Sequence, residues 1–279
     1  MQKLAISQIT TAQLTVVEDL ELCQQLGCAM EIAEKKLSMD LMEAKDQLAM
    51  IQESGVRITS IQPRNLTIFP SASAPEPRNS EQRLAELMKS VELFAPFFPG
   101  LALITNTGAD NGNEGKVWNE CIKHYQTLAG HAAGLGMRIA LEALGPSLMN
   151  QNSILFTYGQ AQEMAAAVDH LNFGVCLDIY NSWQDANLSD SIMSSPQPFI
   201  VQIADWRRPH SLHDRLALGD GKIPLAAILQ AIVNTGYSDD FVLEIFSEGV
   251  PDSIWQDKAT ITSAIQRSVK SFRDLSAER

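Results

Sequence analysis

The sequence is poor in basic residues, histidine and cysteine for a chain of 279 residues. It has 21 Lys and Arg against 33 Asp and Glu, which gives a formal net charge of −12 at pH 7. So acidic a surface repels phosphate backbones and anionic headgroups, and we therefore expect neither nucleic acid nor membranes as partners. With only five His residues, a nuclease site that holds several metal ions on many histidines is also excluded.

Cysteine pairs and long apolar runs are missing as well. The four cysteines, Cys23, Cys28, Cys121 and Cys176, do not show the paired spacing of a zinc ribbon. We interpret them as free thiols in a reducing compartment. No apolar run approaches the roughly 20 residues that a membrane-spanning helix needs. The first residues lack the apolar core and cleavage site of a secretory signal, so we expect a cytoplasmic protein.

Short aliphatic runs alternate with longer amphipathic stretches along the chain. The runs predicted to be strands are Leu4–Ser7, Ala29–Ala33, Arg57–Gln62, Leu101–Asn106, Arg138–Ala143, Asn172–Asp178, Phe199–Ala204 and Phe241–Phe246. The stretches predicted to be helices are Thr15–Leu26, Asp40–Glu53, Ser80–Ala95, Lys116–Leu135, Tyr158–Asp169, Asn187–Ser195, Pro224–Thr235 and Ile254–Leu275. Glycine follows the periodic segments in QQLGC, QESGV, AGLGM and VNTGY, as it does at helix ends.

The repeated order of helix, glycine and strand predicts βα units. Eight units in this chain give about 35 residues per unit, which suits a (β/α)8 TIM barrel. We therefore predict an α/β fold with a single TIM-barrel domain over residues 1–279. A doubly wound open sheet is the alternative, but no GxGxxG follows the first strand. The low-complexity segment PSASAPEPRNS, residues 70–80, follows the third strand and is predicted to be a mobile flap or a solvated loop.

Polar residues interrupt four consecutive apolar strands near their carboxyl ends, where a barrel carries its chemistry. Glu142 lies in strand five, Asp178 in strand six, Gln202 in strand seven and Glu244 in strand eight. Taken singly, each is equally well a hydrogen-bonded strand end or a helix N-cap. Together, three carboxylates at one mouth repel one another unless a cation offsets their charge. An all-oxygen set of this kind suits Mn²⁺ or Mg²⁺, so we predict a divalent metal site.

The whole chain, in order, resembles the xylose-isomerase-like TIM-barrel superfamily, and the specific part of the resemblance is the C-terminal half from Glu142 to Glu248. This group of sugar isomerases and epimerases includes ketose 3-epimerases and inosose isomerases. The family holds a metal on residues at the ends of strands five to eight, which implies Glu142, Asp178, Gln202 and Glu244 as ligands. By the same resemblance, the two glutamates are also the catalytic acid/base pair. The segment DRLALGDGKIPLAAIL is similar to the family's arginine and Gly-x-Gly pattern before the last strand.

Two positions depart from the family pattern. Gln202 stands where a His ligand is usual, as in the 3-dehydroshikimate dehydratases of the superfamily, and an amide oxygen also binds hard cations. Asn181 stands where the LDxxH motif of strand six often has a catalytic His, which counts against a dehydratase. After strand three, IQPRN resembles the QP-[FY]-R segment of the dehydratases and nominates Gln62 and Arg64 as substrate-binding residues, together with Asn181.

Further residues are predicted to contact the substrate. Arg208 and Arg215 follow strand seven, and their guanidinium groups suit bidentate capture of a carboxylate or phosphate, unless they pair with surface acids. Trp183 follows strand six and either walls the pocket or packs in the interior. Glu31, at the end of strand two, is expected to bind substrate hydroxyls.

Other polar residues are given supporting or surface roles. Asp205, just beyond strand seven, is expected to orient a neighbouring group or to cap a helix. His210 and His213 lie in the same loop and are either proton donors in place of the absent His or solvated bystanders. His124 and His131 are expected to be surface residues of a helix.

We therefore predict a metal-dependent isomerase or epimerase that acts through a metal-stabilised enediolate. The expected substrate is a small polyhydroxylated carbonyl compound, namely a keto-sugar, inosose or sugar acid, with an anionic group. The alternative is a lyase on the same scaffold, either a 3-dehydroshikimate-type dehydratase or a 3-oxo sugar-acid decarboxylase, because these reactions also pass through enolates. A non-catalytic barrel is disfavoured by the complete ligand set, and a homo-oligomer is left open.

Overall fold

The computed structural model describes residues 3–110, 113–148 and 151–277. Its barrel strands are β1 (Leu4–Ser7), β2 (Ala29–Ala33), β3 (Ile58–Gln62), β4 (Ala102–Thr105), β5 (Arg138–Glu142), β6 (Phe173–Asp178), β7 (Ile200–Ile203) and β10 (Phe241–Leu243). They form a closed barrel in the order β1-β10-β7-β6-β5-β4-β3-β2. The predicted TIM barrel is confirmed, and β10 is its eighth strand.

The helices are α1 (Val16–Leu26), α2 (Leu41–Glu53), α3 (Ser80–Phe94), α4 (Glu114–Gly134), α5 (Tyr158–Val168), α6 (Ile179–Ser182), α7 (Leu188–Ser194), α8 (Leu225–Asn234) and α9 (Lys258–Ala277). Short 3₁₀ turns cover Glu34–Lys36, Pro146–Leu148 and Ile254–Gln256. Outside the barrel, β8 (Asp205–Trp206), β9 (His213–Leu216) and β11 (Ser247–Glu248) pair antiparallel. Within the described ranges, no helix is both long and apolar enough to span a bilayer.

The predicted boundaries are close to those of the structure, with two differences at the end of the chain. The eighth barrel strand stops at Leu243 because the following residues leave the barrel, and β11 pairs with β9 instead. The predicted last helix is divided into a 3₁₀ turn and α9, because Asp257 between them is extended. Two compact units make up the chain, one of residues up to 59 and from 201 onward, the other of residues 60–200.

Local sequence signals explain where the helices begin and end. Thr15 accepts a hydrogen bond from the backbone N–H of Glu18, and Glu18 accepts one from the backbone N–H of Thr15, which forms a capping box for α1. Thr157 and Gln160 form the same box for α5. Gly27, with φ of +66°, ends α1 in the left-handed conformation that glycine adopts without strain.

The barrel strands are buried along most of their length, which explains why the sequence shows continuous apolar runs. Every residue of β1, β2, β4 and β7 is buried. Parallel strands covered on both faces show such runs in place of the alternation of a half-exposed sheet. Polar side chains in these strands, such as Glu31 and Gln202, are therefore buried and need hydrogen-bond partners.

The prediction that His124 is a surface residue is wrong. Its side chain is buried on α4, and Nε2 lies 3.2 Å from Oγ of Ser80 at the start of α3. The seven-residue spacing places His131 two turns further along α4, where it is half-buried and its Nε2 lies 3.3 Å from Oε1 of Glu92. Both histidines lie on the face of α4 that meets α3, which the polar neighbours in the sequence do not reveal.

We expect Gly108 and Gly100 to respond very differently to alanine. Both have positive φ, +72° and +86°, so each substitution places a Cβ in a strained conformation. At Gly108 the new Cβ also collides with the backbone of Phe69, whereas at Gly100 no atom lies within 4 Å. Urea unfolding should show a loss of about 1 kcal/mol for Gly100→Ala and of about 3 kcal/mol or more for Gly108→Ala. Equal losses would contradict the close approach of the two loops.

Candidate active site

In the unit of residues 60–200, two of the predicted ligands lie at adjacent strand ends. Glu142 ends β5 and Asp178 ends β6, and both are buried. Nδ2 of Asn181 donates hydrogen bonds to Oε1 of Glu142 at 3.0 Å and to Oδ2 of Asp178 at 2.8 Å. One amide nitrogen therefore bridges the two carboxylates, and their oxygens converge on a single point.

A third amide completes this group. Nδ2 of Asn106 lies 3.2 Å from Oε2 of Glu142 and 3.3 Å from its backbone carbonyl oxygen. Both carboxylate oxygens of Glu142 thus accept amide N–H groups, which fixes the plane of the carboxylate. The sequence prediction missed Asn106, although it is the last residue of the predicted strand four and the rule applied to strands five to eight identifies it.

Asp178 is both a strand-end carboxylate and a helix cap, so the two interpretations offered by the sequence coexist. Its Oδ1 accepts the backbone N–H of Tyr180 at 2.9 Å, and this bond starts α6. The short helix presents Asn181 to the carboxylates and ends at the half-buried Trp183. Gly145 allows the loop after β5 to approach α6, because a Cβ there would lie 2.6 Å from the carbonyl oxygen of Asn181.

The other unit repeats the same arrangement with different residues. Nε2 of Gln202 donates to Oε1 of Glu31 at 3.2 Å and to Oε1 of Glu244 at 3.1 Å. The exposed fractions of Glu31, Gln202 and Glu244 are 0%, 0% and 3%. Again one amide nitrogen bridges two buried carboxylates. Because that nitrogen faces the carboxylates, the amide oxygen of Gln202 faces away from them.

Arg215 supplies positive charge to this second group. Its Nη1 donates to Oε2 of Glu244 at 2.7 Å and to the carbonyl oxygen of the same residue at 3.3 Å. The guanidinium carbon also lies 5.0 Å from the centre of the Phe246 ring, so the side chain is held on two sides. The sequence assigned Arg215 to the substrate, and the structure gives it a buried ion pair with Glu244.

The remaining charged residues after β7 are mostly engaged in the loop itself. Arg207 lies between two carboxylates, with Nη2 2.7 Å from Asp214 and Nη1 2.6 Å from Asp252. Hydrogen bonds to Asp252 and Asp214 raise the pKa of Arg207. Arg208 and His210 are exposed. Nδ1 of His213 lies 3.1 Å from the exposed carboxylate of Glu248.

Asp205 organises the glycine-containing segment that follows this loop. Its buried carboxylate accepts the backbone N–H groups of Gly219, Gly221 and Ile223, each at 3.0 Å, and that of Trp206 at 2.8 Å. Gly219 has φ of +88°, and a Cβ on Gly221 would collide with the Asp205 carboxylate. The Gly-Asp-Gly pattern is therefore explained by backbone packed around one buried acid.

A buried charge pair supports the strand that carries Glu31. The backbone N–H of Gln8 donates to the carbonyl oxygen of Glu31 at 3.0 Å. The side-chain oxygen of Gln8 accepts the backbone N–H of Ala33, and its Nε2 donates to Oδ2 of Asp19. The same oxygen accepts a hydrogen bond from Nζ of Lys36. Burial raises the pKa of Asp19 to about 6, while Lys36 acts in the opposite direction.

The two residues nominated after strand three lie close together. Gln62 ends β3 and is buried, and Arg64 is half-buried two residues further on.

Among residues 3–110, 113–148 and 151–277, no group of three or more His, Cys, Asp or Glu is arranged to hold a metal ion. As the structure shows them, the carboxylates of each unit are instead paired and bridged by an amide.

We expect the carboxyl group of Asp19 to titrate near pH 6 in a ¹³C NMR pH series. Replacing Lys36 by Met should raise that midpoint further, because the ammonium group favours the ionised acid. The exposed Lys35 provides the control, and Lys35→Met should leave the midpoint unchanged. The folded-state pKa exceeds the ordinary 3.8, so the stability that Asp19 contributes falls as pH rises from about 4 to about 6 and then stays constant.

A midpoint near 4 in the unmodified protein would show that the carboxyl is not buried as the structure has it. A midpoint that Lys36→Met lowers would show that the charge pair is absent.

Comparison with known proteins relates the chain to one protein family. The model of one protein family, described as Xylose isomerase-like TIM barrel, matches residues 18–274. The chain is 26% identical over 249 residues to a 3-dehydroshikimate dehydratase of Pseudomonas putida, covering 84% of this chain and 36% of that protein. It is 24% identical over 256 residues to an inosose isomerase of Halalkalibacterium halodurans, covering 88% of each.

The chain therefore spans about a third of the dehydratase but most of the isomerase. Among solved structures, an IOLI protein with a binding zinc atom has a TM-score of 0.77 and 22% identity, covering 99% of this chain and 98% of that one. At such identity the likeness shows the shared fold alone.

Proposed function

The chain belongs to the xylose isomerase-like TIM-barrel family, and from this premise we propose that it is a divalent-metal-dependent isomerase or epimerase. The proposed substrate is a keto-sugar, inosose or sugar acid. The observation that carries the proposal is the set of buried carboxylates within or directly after barrel strands, bridged by Asn181 in one unit and by Gln202 in the other. The inosose isomerase of nearly equal length supports the choice of reaction.

The residues fit a hard divalent cation in their donor chemistry. Glu142, Asp178, Gln202 and Glu244 offer carboxylate and amide oxygens, which Mn²⁺ and Mg²⁺ prefer. Their strands are consecutive in the barrel order β10-β7-β6-β5. Buried carboxylate pairs are unfavourable without positive charge, and a cation supplies more of it than an amide N–H. The amide oxygen of Gln202 is the atom of this side chain that would hold the ion.

When bound, the ion would polarise the substrate carbonyl and adjacent hydroxyl and offset the negative charge that develops beside them. The protein itself moves the protons. One glutamate, Glu142 or Glu244, removes the proton from the carbon next to the carbonyl, and the other returns a proton to complete isomerisation or epimerisation. Arg215 and Gln202 each hold one oxygen of Glu244, so its carboxylate is oriented before the substrate arrives.

The remaining candidate residues keep their proposed roles around the substrate. Glu31, Gln62 and Asn181 offer polar groups for hydroxyls. Arg64 and Arg208 offer guanidinium groups for an anionic substituent, and both are at least partly exposed. Trp183 offers an aromatic wall.

A lyase is the second candidate, supported by the similarity to the dehydratase over 249 residues. Dehydration begins with the same proton removal but then needs an acid to protonate the departing hydroxyl group. Asn181, which occupies the position of the family's His, donates hydrogen bonds to Glu142 and Asp178 but has no proton to transfer. Decarboxylation needs no such acid and remains the stronger of the two lyase versions.

We expect the protein to incorporate deuterium from D₂O into keto-sugars or keto-acids at the carbon beside the carbonyl, without release of water or CO₂. Prior removal of divalent ions with a chelator should abolish the exchange, and Mn²⁺ or Mg²⁺ should restore it. Proton NMR and mass spectrometry measure both the exchange and any released product. Release of water or CO₂ would favour the lyase, and exchange indifferent to chelator and metal would contradict metal dependence.

Substitution of Glu244 by Gln should lower turnover about 10³-fold, since an isosteric amide cannot remove a proton. Glu248→Gln is the matched control, because Glu248 lies four residues along the chain on β11 and its side chain is 72% exposed. The control should retain turnover within about twofold, and circular dichroism should show both variants folded. Unchanged turnover in a folded Glu244→Gln variant would remove Glu244 from the proton-transfer step.

A further inference from the structure

A cleft of about 600 Å³ lies in the unit of residues 60–200, among the loops that follow β3, β4 and β5. This volume is typical of small-molecule sites. Phe69 and Gln151 line it together with three charged residues, Arg78, Asp110 and Lys116. None of these residues belongs to the ligand set proposed above, and the cleft opens beside the carboxyl ends of three successive barrel strands.

Backbone hydrogen bonds join the three loops that form the cleft. The N–H of Ala109 donates to the carbonyl oxygen of Pro70 at 2.9 Å, and the N–H of Ala72 donates to that of Gln151 at 2.8 Å. Gly108 permits the closest of these approaches, because any side chain there would collide with Phe69. The cleft is therefore a built feature of the fold, formed before any ligand binds.

One buried side chain holds the outer wall, the loop after β3. Arg83 on α3 is 1% exposed, and its guanidinium donates to the carbonyl oxygens of Thr67, Ala74 and Pro77 and to the side chains of Asn65 and Thr67. All five N–H donors of an arginine are used in this way. The low-complexity segment of residues 70–80, predicted to be a mobile flap or a solvated loop, is thus held by a single residue at two carbonyl oxygens, those of Ala74 and Pro77.

A lysine at this position could not hold the loop as arginine does. Its ammonium group has three donors at one point, whereas the acceptors of Arg83 are spread over residues 65 to 77 and match a planar fork. At least two carbonyl or side-chain acceptors would lose their donor. Arg83→Lys therefore keeps the charge and releases the wall.

The charge of the cleft is opposite to that of the chain. Its charged lining consists of Arg78 and Lys116 against Asp110, whereas the whole chain has a net charge of −12. Nζ of Lys116 lies 2.9 Å from Oδ2 of Asp110 and 5.6 Å from the centre of the Phe69 ring, so the ammonium is held over the cleft. Nε of Arg78 also lies 3.1 Å from Oε1 of Glu76, an exposed residue outside the lining. The lining itself has one more cation than anion, so it repels an anion less than the rest of the acidic surface does.

We propose that this cleft binds the carboxylate-bearing end of a small sugar acid, with Lys116 as its anion-binding residue and Arg83 as the positioning residue of its wall. The inference rests on the proposed function in taking that sugar acid to be the substrate, and it assigns the carboxylate to Lys116 in place of Arg64 and Arg208. Polar hydroxyl groups of the ligand meet Gln151 and backbone groups of the loops, while its carbon chain lies against Phe69.

Gluconate and glucitol test the binding site without any turnover. Both have the same six-carbon hydroxylated chain and neither has a carbonyl group, but only gluconate carries a carboxylate. Amide hydrogen exchange of the full chain should slow at residues 66–77 and 113–118 with gluconate and not with glucitol. Protection by neither compound, or equal protection by both, would overturn the proposal.

Variants separate the two residues from general effects on folding. Lys116→Gln should weaken gluconate binding about tenfold, because a charge-assisted hydrogen bond is lost, and should leave exchange without ligand unchanged. Arg83→Lys should speed exchange at residues 66–77 without ligand and weaken gluconate binding by a similar factor. Arg138→Lys is the control. Arg138 lies at the start of β5 and donates a hydrogen bond to the carbonyl oxygen of Gly100, so its substitution should change neither the exchange at residues 66–77 nor gluconate binding.

Kinetics with a sugar acid that exchanges deuterium gives the final readout. Arg83→Lys and Lys116→Gln should raise KM about tenfold and leave kcat within about twofold, because both act on binding and not on proton transfer. A loss confined to kcat would overturn the assignment. Failure of the deuterium assay with gluconate binding intact would refute the proposed function alone, whereas active enzyme without gluconate protection would refute the cleft alone.

Discussion

Burial of carboxylates at the ends of parallel strands is the constraint on which the rest of the site depends. A carboxylate removed from water costs several kcal/mol unless donors or a cation replace the solvent. The structure meets this cost twice with the same device, a side-chain amide whose nitrogen bridges two carboxylates, through Asn181 and through Gln202. Arg215 adds a full positive charge beside Glu244. The residues around each buried acid are therefore amides and an arginine, which supply hydrogen-bond donors or positive charge.

The loops that carry these donors are themselves held by buried charges. Asp205 gathers backbone N–H groups of the Gly-Asp-Gly segment, and Arg83 gathers backbone carbonyl oxygens of the loop after β3. An anion collects donors and a cation collects acceptors, so one side chain in each unit replaces regular secondary structure over a long connection. A buried charge that collects several backbone groups fixes the position of such a loop. Hydrogen bonds among the loop residues alone fix it less firmly, and functional groups need a fixed position.

The barrel could be predicted from sequence because its strands are buried on both faces and read as aliphatic runs. The strand-end rule found Glu142 and Asp178 and would also have found Asn106, which differs from them only in being neutral. Arg83 gave no signal, since an arginine among polar residues of a helix is usually exposed and its partners lie in an irregular loop. The pairing of Arg215 with Glu244 joins residues 29 positions apart through an added strand pair, which periodicity does not reveal.

The amide at position 181 bears on which chemistry the barrel can support. A neutral imidazole has one N–H, whereas the nitrogen of Asn181 has two, and these reach Glu142 and Asp178 together. Unlike an imidazole, the amide of Asn181 cannot exchange a proton with the substrate. It can instead donate to two carboxylates at once and hold them at one point. In the proposed function, proton transfer is then assigned to the glutamates. Isomerisation and epimerisation need only groups that take and return a proton at carbon, so they are compatible with this exchange, whereas expulsion of a hydroxyl group would require an acid from elsewhere.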